Sequence, residues 1–182
     1  MLKTMDSLVL IIDIQEKLMA ALNHGIKEQM LIKAPKLVQA AKILGVNTLV
    51  TEQYPKGLGT TIEEIKRELP ENCIPTEKTD FCALMEPGYT EKIKSLGKKQ
   101  VIICGIEAHI CVYQTAVKLL EEGYEVFVLK DLCASRNKVE FECAMDLLSD
   151  LGAKITCLEI VLFEWLKTAK NPHFKEIQGL IK

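Results

Sequence analysis

Short apolar runs alternate along the chain with longer stretches whose apolar residues recur at helical spacing. Leu8-Val9-Leu10-Ile11-Ile12 is a continuous apolar run, as expected of a strand buried on both faces. From Gly25 to Leu44 the residues Ile32, Leu37, Ala40, Ala41 and Leu44 fall on one helical face, and Gly45 follows as a C-cap. The same reasoning places strands at Val46 to Thr51, Cys73 to Thr76, Val101 to Gly105, Glu125 to Lys130 and Lys154 to Leu158. Helices are expected from Thr60 to Leu69, stopped by Pro70, and from Pro87 to Leu96, stopped by Gly97. Two more run from Ile110 to Glu122 and from Val139 to Leu151, each followed by glycine. The tail from Val161 to Lys182 is helical in places and interrupted at Pro172.

Strand and helix thus alternate about six times, which predicts a doubly wound, six-stranded parallel sheet in a three-layer α/β/α arrangement. The 182 residues are expected to form a single domain, residues 1–182. In such sheets ligands bind beyond the carboxyl ends of the strands. That rule filters the polar residues worth considering.

Composition narrows the function classes. The net charge is −2 with charged residues at 26%, and no basic run or basic-aromatic patch stands out, so no nucleic-acid partner is expected. No apolar stretch reaches the roughly 18–20 residues of a membrane span. Leu8 to Ile12 is too short for a signal peptide and is followed by Asp13. A cytoplasmic protein with no membrane partner is the expectation. Seven cysteines, none in a Cys-x-x-Cys pair, suit a reducing compartment and small buried side chains better than a disulfide framework or a structural zinc site. Neither glycine-rich nucleotide fingerprint is present, which disfavours a nucleotide cofactor.

Three polar residues pass the filter. Asp13 follows the first strand, Lys78 the third, and Cys111 the fourth, at the start of a long helix. A helix N-terminus and a nearby ammonium stabilise thiolate over thiol. A carboxylate takes the thiol proton and later protonates a leaving group, and backbone amides at the helix start hold an oxyanion. Taken singly, each residue has a plainer explanation: Asp13 as a helix cap, Lys78 as an exposed loop lysine, Cys111 as a core cysteine.

Local sequence adds to the spacing. Ile12-Asp13-Ile14-Gln15, Glu77-Lys78-Thr79-Asp80-Phe81 and Gly105-Ile106-Glu107-Ala108-His109-Ile110-Cys111-Val112, continued by Gln114-Thr115-Ala116, resemble the isochorismatase-like cysteine hydrolase family. The resemblance covers nearly the whole chain. It implies a six-stranded parallel sheet, a catalytic triad of Asp13, Lys78 and Cys111, a non-proline cis peptide at Ile106–Glu107, and an oxyanion hole from the amides of Glu107 and Cys111. It also implies a homo-oligomer, a dimer or tetramer, with Trp165 and the tail from Phe163 to Phe174 as docking candidates.

Two departures sharpen the resemblance. Nicotinamidases of this family carry a histidine-containing metal cluster after the second strand, where this chain reads Thr51-Glu52-Gln53-Tyr54-Pro55-Lys56-Gly57-Leu58-Gly59. The three histidines, His24, His109 and His173, are scattered. No metal and no other cofactor is therefore expected. Isochorismatases that release pyruvate lack the nucleophilic cysteine, whereas Cys111 is present. The stretch Thr51-Glu52-Gln53 resembles the uncharacterised isochorismatase-domain branch. Gln15, Gln53, Tyr54, Phe81, His109 and Tyr113 are candidate substrate-pocket residues, with Phe81 and Tyr113 equally readable as core or interface and His109 as a hydrogen-bonding loop residue. Cys82 is expected only to pack. The expected activity is metal-independent hydrolysis of a small amide or other C–N bond through a thioester. The alternative is an oligomeric interaction module that keeps the fold with little turnover.

Overall fold

The computed structural model describes residues 1–182. The strands are β1 (Ser7–Ile12), β2 (Asn47–Gln53), β3 (Thr76–Lys78), β4 (Gln100–Ile106), β5 (Glu125–Ala134) and β6 (Lys154–Thr156). They form one six-stranded sheet in the order β3-β2-β1-β4-β5-β6, with every neighbouring pair parallel. This is the doubly wound α/β fold that the alternating pattern predicts. The winding reverses between β1 and β4, so the crevice opens at the carboxyl ends of those two strands.

Helices cover both faces. One face carries α1 (Glu16–Ala20), α2 (His24–Ile43), α4 (Glu63–Lys66), α8 (Leu158–Leu166) and α9 (Phe174–Ile181), packed on Val9, Ile11, Val50, Ile102, Cys104, Phe127 and Leu129. The other carries α5 (Tyr89–Ser95), α6 (Tyr113–Glu121) and α7 (Lys138–Asp150), packed on Leu8, Leu10, Ile12, Val101, Ile103, Val126 and Val128. Alternate residues of each central strand enter opposite cores, which is why these strands read as unbroken apolar runs. A one-turn helix, α3 (Pro55–Leu58), follows β2. The order sheet-between-helices makes three layers.

Several boundaries differ from the sequence expectation. The third strand lies at Thr76–Lys78 rather than Cys73 to Thr76, because it pairs only with the last three residues of β2, Thr51 to Gln53. Lys78 is therefore the final residue of a strand, not a residue of the loop after it. The expected helix from Thr60 to Leu69 contracts to Glu63–Lys66. The fifth strand continues past Lys130 to Ala134, and its register against β4 shifts between Ile103 and Gly105. The tail divides into α8 and α9, with Pro172 between them. Trp165 does not project towards a neighbour: it is 3% exposed, and its indole Nε1 donates to Ser7 Oγ at 3.0 Å.

Candidate active site

The crevice gathers Asp13, Lys78 and Cys111 from three strands. Asp13 leaves β1 with a φ of 52°, a left-handed conformation that aspartate tolerates better than most residues. Its backbone N–H donates to Thr51 O at 3.2 Å, and one carboxylate oxygen, Oδ1, accepts from Thr51 Oγ1 at 2.7 Å. Lys78 starts two strands away, on β3, and its long stem spans the end of β2. Its Nζ comes to 2.8 Å from Asp13 Oδ2, with both side chains at 0% exposure. That approach falls outside hydrogen-bonding angles, so Oδ2 is a buried oxygen in an ion pair without a directed donor. The ammonium instead donates to Gln53 Oε1 at 2.5 Å, Phe81 O at 3.1 Å and Asp80 O at 3.2 Å.

Cys111 arrives from β4 by a different device from the expected α-helix start. Residues Ala108–Val112 form a single turn of π-helix, and α6 begins only at Tyr113. Cys111 lies inside that turn, so the simple helix-N-terminus argument for a thiolate does not apply to it. Gly105 makes the approach possible: its φ is 151°, and a Cβ there would meet Ile12 O at 2.1 Å. The peptide Ile106–Glu107 is cis, as the resemblance implies.

The thiol is close enough to Asp13 and Lys78 for both charges to act on it, and its pKa is pushed up to about 12. Burial is the main cause and the Asp13 charge adds to it, while Lys78 pulls the other way and is outweighed. The resting group is a protonated thiol facing a carboxylate, not a preformed thiolate. The cost of burial, which residue order does not display, outweighs the lysine.

The other candidate residues separate into groups. The Gln15 amide is fully committed to backbone: Nε2 donates to Gln53 O at 3.0 Å and Gly59 O at 2.6 Å, and Oε1 accepts from Gln53 N at 2.7 Å. Gln53 spans Lys78 and Thr79 O, the latter accepting from its Nε2 at 2.7 Å. Tyr54 is exposed, as is Phe81, whose carbonyl touches the ammonium. His109 Nδ1 lies 2.9 Å from Ser135 Oγ. His109 and Tyr113 line an apolar cavity of about 370 Å³ with Val139, Cys143 and Leu147, and Cys111 is not part of its wall. A second cavity, about 350 Å³, is lined by Tyr54, Pro55, Lys56, Glu77, Lys78 and Thr79 together with Glu86.

Sequence reasoning overlooked two participants. Thr51 was absorbed into a strand, although its hydroxyl anchors Asp13. Arg136 donates through its backbone N–H, at 3.1 Å, and Nε, at 2.9 Å, to Oε1 of Glu107. Ending the fifth strand at Lys130 hid Arg136, which follows the true strand end by two residues. Where nicotinamidases hold a metal, the residues here do not fit one. Glu52 Oε1 accepts from Thr61 N and Oγ1, both at 2.7 Å, and Gln53 is committed to Lys78. No three His, Cys, Asp or Glu side chains converge as a ligand set.

Comparison with known proteins decides the family. Residues 7–160 match the Isochorismatase domain. The chain belongs to that family. Isochorismatase domain-containing protein 2 of Danio rerio is 38% identical over 181 residues, covering 99% of this chain and 89% of the relative. The solved structure of MAR1 ribonuclease from Caenorhabditis elegans superposes with a TM-score of 0.92 at 35% identity, covering 99% of this chain and 91% of that one. The structure of YcaC from Pseudomonas aeruginosa, with hexane-2,5-diol and covalent acrylamide, superposes with a TM-score of 0.89 at 25% identity, covering 98% and 90%. This isochorismatase-domain protein therefore has the isochorismatase-like hydrolase fold.

Proposed function

We propose that this isochorismatase-domain protein hydrolyses a small amide or related C–N substrate through a thioester on Cys111, without a metal. The observation that carries the reading is a wholly buried Asp13–Lys78 ion pair, both of whose charges act on the buried thiol of Cys111. Asp13 takes the thiol proton as sulfur bonds to the substrate carbonyl carbon. The resulting oxyanion is held by the amides of Glu107 and Cys111. The tetrahedral adduct collapses, the C–N bond breaks, and the leaving amine receives the proton from Asp13. A water molecule then attacks the thioester, giving its proton to Asp13, and C–S cleavage returns the thiol. Lys78 orients Asp13 through their buried ion pair. The homo-oligomer expected from the resemblance belongs to the same proposal.

The name of the worm relative raises ribonuclease chemistry as a second class. RNA cleavage calls for cations open to phosphate. Here the lysine in the crevice is fully buried, its donors are committed to protein oxygens, and the net charge of the chain is −2. These features favour acyl transfer.

The test is a screen of small amides, ureides and carbamoyl compounds with the wild type and Cys111→Ala. Turnover lost in the variant supports the proposal. Acrylamide serves as a covalent probe, with adducts mapped by mass spectrometry. Labelling of Cys111 ahead of the exposed Cys143 is expected; no turnover and no preference for Cys111 would favour the interaction-module alternative.

A further inference from the structure

The acyl-transfer reading needs a free oxygen on Asp13, and the geometry around Lys78 shows how one is kept. A lysine ammonium has three N–H bonds and no acceptor. Three neutral oxygens surround this one: Gln53 Oε1, Phe81 O and Asp80 O. Asp13 Oδ2 is only 2.8 Å away yet receives no directed hydrogen bond, while Oδ1 is occupied by Thr51. The two carboxylate oxygens are thereby given different work. One anchors the side chain, and the other is buried beside the ammonium without a directed hydrogen bond.

Of the three acceptors, two are main-chain carbonyls and one is a side chain. We infer that Gln53 is a positioning residue, whose side-chain oxygen turns the Lys78 ammonium away from Asp13 Oδ2 and leaves that oxygen to take the Cys111 proton. Its amide has one consistent orientation, because lysine only donates and the Thr79 carbonyl only accepts. Gln15 holds the device in place. Its amide accepts from Gln53 N and donates to Gln53 O, as a paired strand would at the end of β2. The chain of control runs Gln15, Gln53, Lys78, Asp13. It places Gln53 among the groups that prepare the base, instead of among those that touch substrate.

This inference rests on the proposed role of Cys111, and one experiment separates the two. The rate of acrylamide addition to Cys111 is followed against pH in the wild type, Gln53→Met and Gln53→Glu, with circular dichroism recorded for each. In the wild type the rate is expected to rise with ionisation of the base and then level off. Gln53→Met removes the acceptor, so an ammonium N–H turns to Oδ2. A hydrogen bond to the charged form lowers its basicity. The acidic limb moves to lower pH and the plateau falls roughly tenfold or more. Gln53→Glu keeps an acceptor oxygen and adds negative charge near Asp13, so the limb moves to higher pH and most of the plateau is retained. Opposite shifts support the assignment, and the Glu variant carries the test alone if Gln53→Met does not fold. Limbs unmoved, or moved in one direction by both substitutions, overturn it while leaving Cys111 as the nucleophile. A wild type that shows no preferential labelling of Cys111 overturns the reading on which the assignment depends, and the assignment with it.

Discussion

Lys78 Nζ and Asp13 Oδ2 lie 2.8 Å apart, and neither side chain has any exposure. A pair taken wholly out of water gains attraction but loses hydration, so its net worth is small. Losing one partner is another matter, because the remaining charge is left buried and uncompensated, at a cost of about 3–5 kcal/mol. Lys78→Met is expected to lower the unfolding free energy by that order in urea denaturation near neutral pH. Adding Asp13→Asn to the same chain removes the stranded charge and should recover a large part of the loss. A single variant as stable as the wild type would contradict an ion pair at this site.

Asp13→Asn tests the base. Asparagine also adopts positive φ, which suits the 52° at this position. Its side chain keeps an acceptor for Thr51 but has no carboxylate to take a proton. Loss of general-base catalysis is worth about 10²–10⁴-fold. Both Cys111-dependent turnover and acrylamide addition at Cys111 should fall by that order, with the far-ultraviolet spectrum unchanged. Retention of the rate would assign proton removal to another group.

The buried thiols predict an alkaline limit to stability. Burial pushes Cys111, with a contribution from the Asp13 charge, and Cys133, near the end of β5 opposite Gly105 of β4, up to about 12 from an ordinary value of 9.0. Below the ordinary value both thiols hold their protons in folded and unfolded chains alike, and they add no pH dependence. Between pH 9 and about 12 the unfolded chain releases these protons while the folded one does not, so stability falls as pH rises. Urea midpoints measured at pH 7, 9 and 10.5 should decline over the last interval. Cys111→Ala should flatten that decline; an unaltered slope would place the titration elsewhere.

Gly105 predicts a local intolerance. A methyl group at this position would overlap Ile12 O at 2.1 Å, and the φ of 151° is one that side chains rarely adopt. Both partners are backbone at the junction of β1 and β4, so neither can move without displacing Asp13 or the nucleophile loop. Overpacking of this kind costs about 1–3 kcal/mol, and the backbone conformation adds to it. Gly105→Ala should lower the thermal midpoint and reduce acrylamide addition at Cys111, whereas Gly179→Ala, in open space on α9, should lower neither.

The short strand β3 shows why part of the site was hidden in the sequence. Its apolar content lies before it, around Cys73 and Ile74, so periodicity drew the strand too early. Pairing with Thr51 to Gln53 is what places Lys78 at its end. Ile74, which the pattern would bury, is 74% exposed. Likewise Gln15 and Gln53 looked like pocket residues because they are polar and near strand ends. Gln15 binds main-chain groups up to 44 residues away and Gln53 binds the Lys78 ammonium and the Thr79 carbonyl, and no local pattern names those partners.

The layered fold follows from residue order, since continuous apolar strands and one-sided helices leave few other ways to bury both faces of each strand. With the family resemblance, residue order also singles out Asp13, Lys78 and Cys111. How those three act on one another is set by the packing of the folded chain. Whether Cys111 rests as thiol or thiolate depends on how fully it is buried against Asp13, and which oxygen of Asp13 is free depends on where Gln53 and two carbonyls steer an ammonium. Those are consequences of distance and desolvation between segments remote in the chain, which residue order does not carry.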